Sequence, residues 1–267
     1  MPLALSESHL IRPHWPDLPA NVGALATTRA GGVSAGPYDG GLAHGGQTAG
    51  GLNLGLHVAD DAQAVLENRA RLQALLPVRP AWIAQVHGAD VVDAARVRTG
   101  APALTGDASI AFEAGVVCAI LTADCLPVLF ADVQGRVVGA AHAGWRGLAG
   151  GVLAATLAAM RTAGAGEITA WLGPAIGPGA FEVGPDVLHA FEAALPGGAA
   201  AQAFRPYPGR PGKYLADIYL LARLMLAQDG VTRVHGGERC TLGERGHFYS
   251  YRRDGVTGRQ ASLIWLN

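Results

Sequence analysis

The apolar positions of the chain fall into short blocks of two kinds. Residues 22–28 and 260–266 are apolar runs of strand length near the two ends. Between them, from residue 81 onward, short apolar runs alternate with turns: AWIAQV (81–86), VVCAILT (116–122), VLF (128–130) and VVGAAH (137–142), with another strand expected at 168–172. Helical spacing runs to about residue 76 from a start where Asp60 or Asp61 supplies the N-cap, and Pro77 and Pro80 close it. It recurs over residues 143–163, 185–195 and 216–228. Residues 31–56, GGVSAGPYDGGLAHGGQTAGGLNLGL, break the pattern; glycine at that density predicts a mobile surface loop rather than a packed element. There is no internal repeat, and the stretch 197–212 reads as an excursion rather than a linker. The expected architecture is α+β, a single domain over residues 1–267.

One hairpin can be read in more detail. Asp132-Val133-Gln134-Gly135 has type I turn chemistry and joins two apolar runs. With Val133 and Gln134 at the centre of the turn, Phe130 faces Val137, Val128 faces Gly139, and Cys125 faces His142. Facing side chains in an antiparallel pair lie about 4.5–5.5 Å apart at Cβ, so a thiolate and an imidazole could share one ion. A bulge would shift this register, and Pro127 can end the ladder early. The Cys–His pair admits three readings: a buried cysteine beside a hydrogen-bonded histidine, a nucleophile whose thiol is activated by imidazole, or part of a metal site. The third needs another donor. His87, in Gln85-Val86-His87-Gly88 at the end of an apolar run, is the candidate, and three protein ligands with an open fourth position would suit a catalytic zinc.

Composition narrows the partners. The 267 residues are 50% apolar and 15% charged, with a formal net charge of -1. That balance suits a compact enzyme and gives no electrostatic reason to expect nucleic acid or an anionic membrane surface. No apolar run approaches the roughly 18–20 residues that span a bilayer, and the first residues, MPLALSESHLIRPHWP, lack the pattern of a signal peptide. The three cysteines, Cys118, Cys125 and Cys240, have no disulfide-like spacing, so a reducing compartment, the cytoplasm, is expected.

Seven blocks then carry a resemblance: TTRAGGVS (27–34), NLGLHVADD (53–61), QVHGADV (85–91), TADCLPVLF (122–130), AAHAGWRGLAGGV (140–152), WLGPAIGPGAFEVG (171–184) and FYSYRRDGVTGR (248–259). Together they resemble the bacterial YfiH-like, or laccase-domain, family, whose members are also named multifunctional purine nucleoside phosphorylases and, for some, peptidoglycan editing factors. The resemblance implies zinc held by His87, Cys125 and His142. It implies a mixed β-sandwich flanked by helices, a fold shared with a toxin-type cysteine hydrolase. It also implies phosphorolysis of adenosine, inosine and methylthioadenosine, together with deamination of adenosine. In one place the chain departs from the family pattern: AHGGQTAGG (43–51) lengthens a stretch that is usually short.

Such chemistry assigns provisional roles. Phosphate held against a ribose needs cationic donors, for which Arg29 and Arg146 are the candidates, the latter in the first turn of the 143–163 helix, where backbone amides also favour anions. Deamination needs a carboxylate to move protons, and Asp124 adjoins a ligand. Asn53, His57, Tyr249 and Arg252 are candidates for contact with substrate, whereas Cys240 and Cys118 read as structural. The expected partners are a purine nucleoside and phosphate, with the protein a monomer or homodimer. Other readings are a hydrolase that edits peptidoglycan precursors, a copper-dependent polyphenol oxidase, and a non-enzymatic binding module. Cu(II) generally binds N/S ligands more tightly than zinc and could replace it, although the nine histidines include no His-x-His pair of the multicopper type.

Overall fold

The computed structural model describes residues 5–41 and 49–267. In chain order the strands are β1 (Leu10–Ile11), β2 (Val22–Thr27), β3 (Ala30–Ser34), β4 (Pro80–Trp82), β5 (Val91–Asp93), β6 (Ala108–Ala111), β7 (Val117–Thr122), β8 (Leu126–Asp132), β9 (Val138–Ala143), β10 (Ile168–Leu172), β11 (Glu182–Val183), β12 (Phe204–Pro206), β13 (Tyr214–Ala216), β14 (Val234–Gly236) and β15 (Gln260–Leu266). The helices are α1 (Ala62–Gln73), α2 (Trp145–Ala149), α3 (Val152–Thr162), α4 (Pro185–Ala194), α5 (Ile218–Gln228) and α6 (Tyr251–Asp254).

Two mixed sheets, in the orders β1-β2-β15-β7-β4 and β14-β10-β8-β9-β6-β5, carry most of the strands. β4–β7, β5–β6 and β10–β14 are parallel and their other pairs antiparallel. A small antiparallel sheet, β11-β13-β12, completes the set. β7, β8, β9 and β15 are buried at every residue, as strands covered on both faces must be. The faces that the two large sheets turn to each other meet in one cluster, Ile120 and Ile264 from one and Leu129 and Val138 from the other. The outer face of the six-stranded sheet, with Val128 and Phe130, is covered by Leu153, Leu157, Phe191 and Leu221 of α3, α4 and α5. On the other side, Leu72 of α1 joins Leu52 and Leu54 over Leu25 and Leu263. The expected α+β class, mixed strands flanked by helices, is the architecture found.

Three local expectations need correction. The helix read over 143–163 is two helices, because Gly151 takes a left-handed φ of 89° and starts α3 afresh. The helix expected over 216–228 starts at Ile218 as α5, with Ala216 in β13 and the Asp217 side chain capping the N–H groups of Tyr219 and Leu220. The glycine-rich stretch is packed at its flanks: Leu52, Asn53 and Leu54 are fully buried. There glycine permits close approach, since a Cβ on Gly51 would fall 1.7 Å from the Tyr38 carbonyl oxygen. Residues 42–48, most of the lengthened 43–51 segment, lie outside the described residues.

The hairpin turn forms as expected, with the Gly135 N–H donating to the Asp132 carbonyl at 2.7 Å. The register differs by two. Asp132 N–H bonds Val137 O, so Arg136 joins the loop, its guanidinium folded back 2.8 Å from the Asp132 carboxylate. Phe130 therefore pairs with Gly139 and Val128 with Ala141. A shift of two preserves the face of every side chain. Cys125 is carried to the level of Gly144, and His142 becomes its diagonal neighbour on the same face.

Candidate metal centre

The site lies where the chain crosses from one large sheet to the other. β7 ends at Thr122, and Asp124, with a left-handed φ of 87°, turns the backbone so that Cys125 precedes β8. The Asp124 carboxylate is fully engaged: it accepts from the Thr241 hydroxyl (2.6 Å), the Ser250 hydroxyl (3.0 Å) and the Arg252 N–H (2.6 Å). It thereby clamps the cysteine turn to the C-terminal segment.

His87 is positioned by a second buried carboxylate. Beyond β4 the ladder to β7 ends, and the Gln85 amide takes its place, exchanging two 2.8 Å hydrogen bonds with the backbone of Leu121. His87 then adopts a φ of 63°. The N–H groups of Val86, His87 and Gly88 all donate to Asp107, at 3.1, 2.8 and 2.7 Å. The same carboxylate lies 2.8 Å from Nδ1 of His142, whose backbone N–H donates to the Asp107 carbonyl. One buried aspartate therefore fixes the backbone that carries His87 and orients the His142 ring, the latter as carboxylates behind metal-ligating histidines do.

The donor atoms of His87, Cys125 and His142 all lie within 4.8 Å of one another. Cys125 Sγ is 3.9 Å from His87 Nε2, and the two imidazole rings meet edge to face at 4.7 Å. Ligand bonds of 2.0–2.3 Å at tetrahedral angles separate donors by about 3.5 Å, so a small contraction brings these three around one ion. His87 is exposed, Cys125 partly so and His142 buried, leaving one side of the group open. Among the described residues this is the one His/Cys/Asp/Glu group able to hold a metal ion.

Electrostatics favour the thiolate at Cys125 and the protonated imidazole at His142, which must release its proton to bind a metal. Burial raises the Cys125 pKa, but the hydrogen bonds and charges of His142 and His87 outweigh it and bring the thiol down to about 6. For His142, burial lowers the pKa, and Asp107 and Cys125 together carry it up to about 9. Burial likewise raises Asp107, yet His142 and the three backbone N–H donors hold it below the usual carboxylate value. The glycines of HAGWRG follow from the same packing. A Cβ on Gly144 would sit 2.9 Å from Cys125 Sγ and 3.1 Å from the His87 ring, and one on Gly147 would sit 2.8 Å from the Gly88 carbonyl oxygen.

Two cavities meet at His87 and Cys125. One, about 290 Å³, is walled by Trp145, Phe181 and Ile176 with Arg146, Arg252 and Tyr251. The other, about 370 Å³, is lined by His57, Gln85, Thr122, His142, Tyr251 and Arg259. Arg146 stands in the first turn of the short helix α2, exposed, its guanidinium 4.4 Å over the Trp145 ring. Arg252 donates to the Glu182 carbonyl at 2.8 Å. Burial, with the charges of Arg259 and Arg69, lowers the His57 pKa below its ordinary value.

Arg29, Asn53 and Tyr249 line neither cavity. Arg29 is buried in an ion pair with Asp39 (3.1 Å) and lies over the Tyr249 ring. The Tyr249 hydroxyl donates to the carbonyl of Tyr38 (2.6 Å). Asn53 bonds Asp60 and the Arg259 N–H, each at 2.9 Å. These three hold the loops that support the site. Cys118 is core, its thiol pushed up to about 12 by burial, and Cys240 Sγ accepts from the Gly177 N–H.

The family described as multi-copper polyphenol oxidoreductase laccase matches residues 23–267. The chain belongs to this family. Its laccase-domain relatives include a purine nucleoside phosphorylase of Pseudomonas aeruginosa, 52% identical over 96% of this chain and 98% of that protein. Purine nucleoside phosphorylase YfiH of Escherichia coli is 49% identical over 97% of this chain and 99% of its own length. Among solved structures, a Neisseria meningitidis protein superposes with a TM-score of 0.86 at 48% identity, covering 97% of this chain and 99% of that one. YlmD of Geobacillus stearothermophilus gives 0.85 at 35% identity, over 100% and 99%.

Proposed function

We propose that the chain is a zinc-dependent purine nucleoside phosphorylase acting on adenosine, inosine and methylthioadenosine, with adenosine deaminase activity at the same centre. The observation that carries this reading is the two-nitrogen, one-sulfur donor group of His87, Cys125 and His142, open to a cleft with an aromatic wall and a cationic rim. The names of the relatives at about half identity agree with it.

The donor set suits zinc, a borderline-soft ion that takes thiolate and imidazole together, and the depressed Cys125 thiol is in the form a metal binds. When bound there, zinc supplies a Lewis acid and a concentrated positive charge. The remaining groups bind and orient. Trp145, Phe181 and Tyr251 offer flat and apolar surface to a purine. Arg146, with no carboxylate partner among the described residues, is placed to hold phosphate by charge-assisted hydrogen bonds. His57, its pKa lowered, is neutral near pH 7 and can accept a proton at the second cavity. Asp124, its oxygens taken by three donors, positions Cys125 and Arg252 rather than carrying protons.

A second reading has an observation of its own. Cys125, His142 and Asp107 stand in the order of nucleophile, base and orienting carboxylate. His87, a third donor at Cys125, favours the metal instead.

Phosphate dependence tests the reaction. Base release from inosine should require phosphate and yield ribose 1-phosphate. Arg146→Ala should lower phosphorolysis by about tenfold to a hundredfold, the worth of a charge-assisted bond, with zinc content intact and adenosine deamination less affected. Inosine cleavage indifferent to phosphate would overturn the proposal. So would turnover of muramyl peptide precursors with none of nucleosides, which would assign the centre to peptidoglycan editing.

A further inference from the structure

A separate cavity of about 310 Å³ shares no lining residue with the two that meet at the metal group. Its apolar side is formed by Leu56, Trp82, Val97 and Val116, and three arginines, Arg69, Arg79 and Arg98, reach it. No carboxylate is among the described residues that line it, and none of the three arginines is in an ion pair among those residues.

Arg69 is the telling member. Its stem is largely enclosed, its Nε donates to the Leu54 carbonyl at 2.9 Å, and its guanidinium lies 4.4 Å over the Trp82 ring. The two terminal nitrogens have no hydrogen-bond partner among the described residues. Burial, together with the charge of Arg79, lowers its pKa to about 10. A cation held in a poorly solvated place beside a second cation, without a counter-ion, is a costly arrangement that an anion would relieve.

We propose that this cavity binds a small organic phosphate, a phosphate monoester whose dianion lies among Arg69, Arg79 and Arg98 and whose apolar body rests on Leu56, Val97 and Val116. Three guanidinium groups offer more donors than the two oxygens of a carboxylate can use, whereas a terminal phosphate presents three oxygens to planar forks. The volume falls in the range of small-ligand pockets, and the mixture of apolar wall and few polar groups is typical of them. The inference does not depend on the reaction proposed at the metal centre.

Calorimetric titration of the purified, zinc-loaded full chain with phenyl phosphate tests it. This probe carries a dianion and a flat apolar body without being a nucleoside. Binding that persists in Arg146→Ala, which removes the cation proposed to hold phosphate at the metal cleft, is expected, tighter than for inorganic phosphate, weakening as salt rises, and absent for phenol. Arg79 and Arg98 are exposed, so the double variant Arg79→Ala/Arg98→Ala should keep the melting temperature and zinc content of the parent. It should bind phenyl phosphate at least about tenfold more weakly, the effect of losing one or more charge-assisted contacts. His87→Ala should leave the affinity unchanged. No binding to the parent, equal affinity in parent and double variant, or loss of binding in His87→Ala would each overturn the proposal.

Discussion

Asp107 shows what a single residue contributes to this centre. Its carboxylate accepts three backbone N–H groups around His87 and faces the ring nitrogen of His142. Asparagine keeps the size but turns one acceptor oxygen into a donor, leaving a buried N–H facing another. Asp107→Asn should therefore weaken zinc binding by about tenfold to a hundredfold in a chelator competition, the usual effect of losing the carboxylate behind a ligating histidine. Unchanged zinc affinity would separate Asp107 from the site. Nothing in the sequence singled this residue out: it sits 20 positions from His87 and 35 from His142, a lone acid before a short strand. The donors were legible as candidates, since a turn put Cys125 near His142 and His87 ends an apolar run, but it was the family resemblance that joined the three as ligands of one ion. Arg29, Asn53 and Tyr249 stand in blocks of the same family pattern, yet none lines the two cavities at the metal group. A motif does not distinguish a residue that lines a cavity from one that supports its wall, and the Asp39 partner that buries Arg29 is a fact of three-dimensional packing.

At the level of elements, apolar period and capping chemistry found the long units. β10 runs over Ile168–Leu172 and β15 over Gln260–Leu266, both as expected, and Asp61 caps α1. Misreadings arose where glycine acts. In the stretch read as one helix, alanine and leucine continue on both sides of Gly150-Gly151, so composition hides the break. The left-handed Gly151 redirects the chain so that α2 can carry Trp145 and Arg146 at the cleft while α3 packs on β9 and β6. A Cβ at Gly151 would meet nothing within 4 Å, so the cost of Gly151→Ala is backbone strain alone. About 1–2 kcal/mol of destabilisation is expected, a fall in Tm of a few degrees by calorimetry. An unchanged or raised Tm would contradict the conformation assigned here. The hairpin register was legible only to within two residues because turn chemistry does not fix loop length: Arg136, paired with Asp132, lengthens the loop.

For the whole molecule, the two large sheets, their helical covers and the crossing between them place the centre. Cys125 follows β7 of one sheet and precedes β8 of the other, His142 lies near the end of β9, and His87 follows β4. The pattern of apolar runs identified these strands but held no information on which sheet each would join, so the convergence of three strand ends emerged only with the topology. Everything proposed for the centre rests on that convergence holding an ion. Metal analysis of the purified protein alongside His87→Ala, Cys125→Ala and His142→Ala tests it most directly. The parent should carry about one zinc per chain, as three ligands of this kind define one site, and each variant should carry clearly less. Full zinc in all three variants would contradict the assignment of His87, Cys125 and His142 as its ligands.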